Sequence, residues 1–173
     1  KYYGINYRSY PVGTKVETFS VELVEQNKDK ILYVDSLLRN YPSYEKGTLF
    51  TESKELFSKD SLSVALPEGT NAVRLLSINI QVDSVHYEQA MREQIIKMSF
   101  DGVETVTVPL SDFSGAGMGA RKSDSWYVSA DGKGHVLSRW VMPYQKNAVF
   151  KLVNLSSTTV KADIEIRVDD WKW

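Results

Sequence analysis

The sequence FDGVETVTVPLSDF, residues 100–113, decides how the chain folds. Asp101-Gly102 lies between alternating apolar residues, and this pattern is a strong signal for a tight β-hairpin, because glycine accepts the positive φ that such turns demand. We predict that one strand ends at Phe100, that the return strand covers residues 103–108, and that Pro109 stops it.

The same pattern of short strands and turns extends over most of the chain. Between residues 73 and 82, apolar side chains alternate with polar ones, which indicates a sheet with one buried face. No helical segment separates successive strands, so βαβ folds are disfavoured. Regular strands with turn signals between them predict an all-β, antiparallel jelly-roll sandwich. The predicted strands cover residues 48–57, 61–66, 73–82, 93–100, 103–108, 125–130, 135–142, 147–155 and 159–168.

The first part of the chain has a different pattern. Residues 2–10 are aromatic and alternating, which indicates an extended segment or an edge strand, whereas residues 21–40 have helical periodicity. Ser20 is a suitable N-cap, and residues 27–29 can split the region into two short helices. We therefore predict an N-terminal, linker-like segment with a short helical region over residues 1–47, followed by a jelly-roll domain over residues 48–173.

Composition narrows the class of protein. The 173 residues are enough for one domain, and the formal net charge is −1, with 21 basic and 22 acidic residues mixed along the chain. No basic block suggests nucleic acid, and no apolar run is long enough to suggest a membrane span. Thiol chemistry is excluded because there is no cysteine. The start at Lys1, without methionine, leads us to expect a piece of a longer protein.

Few residues suggest a cofactor. His86 and His135 are the only histidines, and they are interpreted as ordinary surface or partly buried residues because no zinc-binding spacing surrounds them. The glycine-rich loop 115–119 does not join a strand to a helix, so we interpret it as a mobile loop rather than a nucleotide site. Arg121, just after it, could contact an anion or a sugar. We predict no cofactor and no metal.

Carboxylates and aromatic residues offer two routes to carbohydrate chemistry. Glycoside cleavage needs two carboxyl groups, and several lie near the hairpin, although most are expected to be solvated or turn-forming. Aromatic rings can stack on the apolar faces of sugars, but they also fill cores and subunit contacts, and this alternative stays open. The carboxylates are Glu88, Glu93, Asp101, Glu104, Asp112 and Asp124, and the aromatic residues are Trp126, Tyr127, Trp140, Tyr144, Trp171 and Trp173.

Three segments of the chain resemble the sequence motifs of one known family. FDG at residues 100–102 with VPLSDF at 108–113 resembles the family's DGE…VPLGDFF stretch. WVMPYQK at 140–146, followed by residues 149–154, resembles its W-P-M-P-F-x-K…L-x-N strand pair. YYGINYR at 2–8 is similar to the YYxINYR segment that links the family's two β modules. The family that these segments together resemble is glycoside hydrolase family 172, formerly domain of unknown function 2961.

This resemblance implies two jelly rolls like those of viral capsid subunits, and assembly as trimers or their multiples. It also implies activity on fructofuranosides and arabinofuranosides through a pair of glutamates, in bacterial proteins that are secreted or periplasmic. Glu93 lies closest to the place of one family glutamate. Ser111 stands where the second is expected, with Asp112 beside it.

The serine at position 111 leaves two interpretations. Because serine cannot act as the general acid, either Asp112 has taken over, or this jelly roll is the non-catalytic one. We favour the second, because PLSDF at residues 109–113 resembles the P-L-x-D-F version in the family's non-catalytic module. The module then either contributes to a furanoside-hydrolase site shared between subunits, or is a carbohydrate-binding or structural and oligomerisation module. Expected partners are a glycan, a second jelly-roll module and further copies of the chain. The candidate residues are Glu93 and Asp112 for catalysis, and Trp126, Trp140, Tyr144 and Arg121 for substrate binding.

Overall fold

A computed structural model of the protein describes residues 4, 6–39 and 46–172. Strands make up 43% of the chain and helices 17%, so the predicted mostly β class is confirmed. The chain forms two compact units, Lys1–Leu37 and Leu38–Trp173. Residues 2, 3 and 5 of the YYGINYR segment lie outside the described residues.

The helical region begins as the sequence predicts. Helix α1 covers Val21–Gln26 and helix α2 covers Lys28–Arg39, and they are separated at Asn27. The Ser20 hydroxyl accepts a hydrogen bond from the backbone N–H of Leu23 at 3.3 Å, so Ser20 is the N-cap of α1. Residue 4 and residues 6–10, predicted as an extended segment or edge strand, contain no strand.

The second unit contains two antiparallel sheets. The seven-stranded sheet has the order β1-β11-β3-β8-β7-β6, and β9 also pairs with β3. The four-stranded sheet has the order β2-β10-β4-β5. The strands are β1 Thr48–Leu56, β2 Ser61–Ala65, β3 Asn71–Gln81, β4 Gln94–Phe100, β5 Val103–Pro109, β6 Ser123–Asp124, β7 Val128–Ala130, β8 His135–Ser138, β9 Met142–Tyr144, β10 Ala148–Asn154 and β11 Val160–Asp170.

A single apolar core lies between the two sheets. On β3, Leu76, Ile78 and Ile80 are buried, while the intervening residues face outward. They belong to the same buried cluster as Phe150 and Leu152 of the other sheet, so the domain is a β-sandwich. The predicted alternation on this strand is therefore confirmed.

Two predicted strands are interrupted in the structure. Residues 125–130 contribute only Val128–Ala130, and β6 lies just before them. Residues 135–142 divide into β8 and β9, because the chain leaves the sheet between Ser138 and Met142 and then pairs again with another part of β3. Alternation alone could not locate this break, since both pieces keep the strand pattern.

Two short helices flank the central hairpin, so the prediction that no helical segment separates successive strands is wrong at these two places. Helix α3, Tyr87–Glu93, leads directly into β4, and helix α4, Leu110–Phe113, follows directly after β5. Because Ile95 of β4 lies opposite Pro109 of β5, the two helices meet at the same end of the hairpin. The strand that we predicted from residue 93 begins one residue later, and Glu93 ends α3.

The turn at the other end of the hairpin has the predicted conformation. Asp101 has φ 53° and Gly102 has φ 83°, and two successive positive φ angles are typical of the type I′ turn. The Asp101 carboxylate also accepts backbone N–H groups from Gln145 (3.1 Å), Lys146 (2.7 Å) and Asn147 (3.2 Å). These hydrogen bonds, that of Lys146 first, lower the pKa of Asp101.

The lowered pKa of Asp101 predicts that the contribution of its carboxylate to stability depends on pH. A carboxylate whose pKa is lower in the folded state stabilises the protein above its unfolded pKa, and this contribution is lost as pH falls through the folded pKa. We expect Asp101→Asn, which tolerates the same φ, to lower the melting temperature at neutral pH. The difference from wild type should shrink as pH is stepped below the ordinary value of 3.8.

Thermal melts across this pH range test the prediction. Glu68→Gln, at an exposed carboxylate in the turn after β2, is the matched control. A difference between Asp101→Asn and wild type that stays constant down to the lowest pH would show that the charge of Asp101 contributes nothing.

Candidate functional site

The two candidate catalytic carboxylates lie on the paired helices α3 and α4. Glu93 is half-buried, and the side-chain amide of Gln89 donates to both of its oxygens at 3.1 and 3.2 Å. Asp112 is exposed, and its Oδ1 lies 2.7 Å from Nη1 of Arg92. Because Arg92 is adjacent to Glu93, the Arg92–Asp112 ion pair brings both carboxylates to the same end of the sheet. Each of them already has a side-chain partner.

Ser111, which stands where the resemblance implies a glutamate, is fully buried. Its hydroxyl has no hydrogen-bond partner among the described residues. Its carbonyl oxygen accepts from the backbone N–H of Gly117 and from the hydroxyl of Ser114, both at 3.0 Å. The side chain at this position is therefore enclosed and offers no acid group at the surface.

Arg121 lies beside the same helix pair. Gly119 has φ 87°, and a Cβ built on it would meet Arg121 Nε at 3.3 Å and Glu88 Oε1 at 3.7 Å. Arg121 and Glu88 of α3 therefore approach the same glycine. The loop that carries Gly119 is held by hydrogen bonds, including that from the hydroxyl of Ser123 to the carbonyl of Ser114 at 2.6 Å.

An exposed group of aromatic side chains lies where the chain passes from β6 to β9. The rings of Tyr127 and Trp140 are stacked, with centroids 4.3 Å apart and planes inclined by 21°. Their exposed fractions are 40% and 50%, and Trp126 is 45% exposed. We call Trp126, Tyr127 and Trp140 the aromatic platform. Tyr127 was noted with the other aromatic residues in the sequence but was left out of the substrate-binding candidates, although its position next to Trp126 was a usable signal.

Arg139 fixes the backbone beneath the platform. Its side chain donates to the carbonyl oxygens of Trp126 and Ser125, both at 3.1 Å, and its backbone N–H donates to the carbonyl of Tyr127 at 2.6 Å. A platform that is held before a ligand arrives loses less conformational entropy on binding.

Tyr144 occupies a different environment. Its side chain has no exposed surface, and its hydroxyl donates to the carbonyl of Pro67 at 3.0 Å. Burial raises the pKa of its hydroxyl. The ring fills the core, which is the alternative that the sequence left open for the aromatic residues. The structure therefore brings Trp126 and Trp140 to the same surface but leaves Tyr144 away from it.

Neither a metal cluster nor a membrane span occurs in the described residues. Nowhere in that part of the chain are three or more His, Cys, Asp or Glu side chains arranged to hold a metal ion. None of its helices has the length and apolar character needed to cross a bilayer. His135 has a polar neighbour, since its Nε2 lies 3.0 Å from the hydroxyl of Ser77.

A two-sheet antiparallel sandwich with an exposed aromatic platform defines the structural class of this protein. The family model described as GH172 domain-like matches residues 48–166. The chain therefore belongs to the GH172 domain family, and the resemblance found in the sequence is confirmed. The match covers the sandwich from β1 to near the end of β11.

The other comparisons add little. No curated protein matches the chain. Among solved structures, it is similar to the crystal structure of Aeromonas hydrophila PliG, a periplasmic lysozyme inhibitor of g-type lysozyme. The identity is 9%, the match covers 70% of this chain and 85% of that chain, and the TM-score is 0.30. So slight a likeness has no bearing on function.

Proposed function

We propose that this chain is a carbohydrate-binding module of a glycoside hydrolase-like protein, and that the aromatic platform is its sugar-contacting surface. The observation that carries the proposal is the stacked pair Tyr127–Trp140, which is half-exposed and fixed by Arg139. Membership of the GH172 domain family supplies the connection with carbohydrate.

The geometry of the platform suits a sugar ring. Pyranose and furanose rings present apolar C–H faces, and indole and phenol rings offer flat surfaces against which these faces pack. Large aromatic side chains left at the surface as a contiguous group mark interaction sites more often than scattered ones do. Trp140 also carries an indole N–H donor that can bond to a sugar hydroxyl.

The side chains on helices α3 and α4 favour a module that binds sugar over one that carries the full pair of catalytic carboxyl groups. A glycosidase needs two carboxyl groups, one of which is a general acid with a raised pKa. Asp112 is exposed and paired with Arg92, Glu93 is bonded to Gln89, and Ser111 supplies no acid. We include in the proposal that a second jelly-roll module of the same protein supplies the carboxyl pair of any hydrolytic site.

The strand order supports the jelly-roll form of the sandwich. A jelly roll has eight principal strands arranged in two Greek keys. If β6, β7 and β9 are set aside, the remaining eight strands, numbered in chain order, run 1-8-3-6 in one sheet and 2-7-4-5 in the other. This is the strand order of a jelly roll.

We extend the proposal to the family's furanoside substrates, to trimer-based assembly and to a secreted or periplasmic location.

Loss of the platform tests the proposal. We expect Trp126→Ala and Trp140→Ala each to weaken binding of arabinofuranoside or fructofuranoside oligosaccharides about tenfold or more, as for a buried aromatic contact. Isothermal titration calorimetry measures the dissociation constants. Phe57→Ala is the matched control, because Phe57 is an aromatic residue with 59% exposure in the separate turn after β1.

Equal affinity of wild type and both platform variants would overturn the proposal.

Whether Glu93 and Asp112 take part in catalysis is tested separately, with Glu93→Gln and Asp112→Asn in the full-length protein. We expect both variants to retain sugar binding and furanoside hydrolysis. Retained binding with abolished hydrolysis would instead assign the chemistry to the α3–α4 end.

A further inference from the structure

Three depressions adjoin one another on the outer face of the seven-stranded sheet. The largest, about 640 Å³, lies over β1, β11 and β3 and reaches His135. The second, about 290 Å³, runs from His135 to Asp124. The third, also about 290 Å³, runs from Asp124 to Trp126 and Tyr127. His135 lines the first two depressions and Asp124 lines the last two, so we infer that they form one outer groove that ends at the aromatic platform.

The outer groove is long enough for a chain molecule. It crosses the strands in the order β1-β11-β3-β8-β7-β6. Neighbouring strands are about 4.8 Å apart, so five spacings give a length of about 24 Å. A single sugar ring would occupy only a small part of this length.

The central part of the groove is lined by short polar side chains that already bond to one another. Ser53, Asp163, Asn79 and His135 lie opposite one another on successive strands. The Asp163 carboxylate accepts from the Ser53 hydroxyl at 2.5 Å and from the amides of Asn79 and Gln81 at 3.4 Å. Such side chains are held in place before binding, which lowers its entropic cost.

A polar lining is not a general property of the outer sheet faces in this domain. The depression on the outer face of the four-stranded sheet, about 320 Å³, is mainly apolar. Its lining includes Ile95, Val108, Pro109, Val153 and Leu155. Solvent exposure alone therefore does not account for the concentration of hydroxyl, amide and carboxylate groups in the outer groove.

The charge of the outer groove selects the ligand class. Its lining has carboxylates on both halves and one lysine, Lys122, so an anionic chain would be repelled. Sugar hydroxyls can donate charge-assisted hydrogen bonds to carboxylates and accept from amides such as that of Asn79. The carboxylate residues are Glu52, Asp124, Asp131, Asp163 and Glu165.

We propose that the outer groove binds an extended, neutral oligosaccharide, with one end stacked on the aromatic platform and the rest lying across β8, β3, β11 and β1. The inference rests on the proposed function and deepens it, because it gives the ligand an approximate length, a charge class and a path across the sheet. The platform anchors the sugar, and the polar rows contribute affinity only to longer chains.

A length series of neutral furanoside oligosaccharides tests the outer groove by calorimetry. For wild type, we expect affinity to rise from disaccharide to longer chains. Asn79→Ala should weaken binding of the longest chain about three- to tenfold, as the loss of one or two hydrogen bonds predicts, and leave the disaccharide unaffected. Ser53→Ala, at an exposed position, is the second variant, and Thr107→Ala, outside the groove, is the control.

The outcomes separate this inference from the proposed function. If Trp140→Ala loses all binding while both groove variants bind as wild type does, the groove is not a binding site, and sugar binding by the platform is retained. Weaker long-chain binding in the groove variants, with no effect of Trp140→Ala, would leave the groove and overturn the platform. An affinity that does not change with oligosaccharide length would also contradict binding in the groove. So would a lysine-rich peptide that binds more tightly than the oligosaccharides and loses this binding in Asp163→Asn.

Discussion

Asn154→Ala is expected to destabilise the domain by about 3–5 kcal/mol, because the Asn154 side chain makes several buried hydrogen bonds at once. Its amide donates to the carbonyl oxygens of Leu56 (2.9 Å), Phe57 (3.3 Å) and Thr158 (2.9 Å). Its oxygen accepts from the side chains of Gln94 (2.7 Å) and Ser156 (2.6 Å). Alanine would remove all of these hydrogen bonds at once and would leave the buried side-chain amide of Gln94 without its acceptor.

Asn154 thus joins parts of the chain that are remote in sequence. It ends β10, and its partners lie at the end of β1, at the start of β4 and in the turn before β11. The residue is also the last position of the L-x-N motif. This structural role accounts for an asparagine at that position of the motif.

The measurement is the unfolding free energy from urea titration, supported by a thermal melt. For a domain of this size, the expected loss corresponds to a fall in melting temperature of about 6–20 °C. Asn147→Ala is the matched control, since Asn147 precedes the same strand and is exposed. A loss no larger than that of Asn147→Ala would contradict the proposed role of Asn154.

Gly134→Ala is the second substitution with a large expected effect. Gly134 has φ +121°, and a Cβ there would lie 2.1 Å from the carbonyl oxygen of Ile80. Ile80 lies on β3, and its N–H donates to the carbonyl of Gly134 at 3.0 Å. The clash is with backbone, so it cannot be relieved by a change of rotamer. We expect a loss of about 3 kcal/mol or more.

Substitution of a second glycine distinguishes the energetic cost of backbone strain from the cost of the steric clash. Gly117 also has a positive φ, +61°, but a Cβ there would meet nothing within 4 Å. Gly117→Ala should therefore cost only about 1–2 kcal/mol, the penalty of the left-handed conformation. Urea titration of both variants tests the comparison, and equal losses would show that the contact with Ile80 is unimportant.

The elements set by local chemistry could be predicted from the sequence. Asp101-Gly102 gave a correct turn because its positive φ angles depend mainly on those two residues. Ser20 gave a correct N-cap for the same reason, and the alternation on β3 identified its buried face. In each case the signal and its structural cause lie within a few residues of each other.

Features that depend on distant contacts could not be predicted. Nothing near Asp101 shows that its carboxylate binds the N–H groups of residues 145–147, which are more than forty positions away. Nor does the sequence separate Tyr144, which is buried, from Trp140, which is half-exposed, because both follow strand-like patterns. The outer groove depends on the register of six strands and was not foreseen. The catalytic roles of Glu93 and Asp112 remain predictions.

The pairing of β1 with β11 has a consequence for how the sandwich can be carried within a longer polypeptide. Thr48 lies opposite Val168, so the chain enters and leaves the sandwich at adjacent positions, with Cα atoms about 4.5–5.5 Å apart. A domain with neighbouring entry and exit points can be inserted into a host chain with little displacement of the flanking segments. Recombination could therefore move this sandwich between proteins as an inserted domain, with its seven-stranded sheet intact.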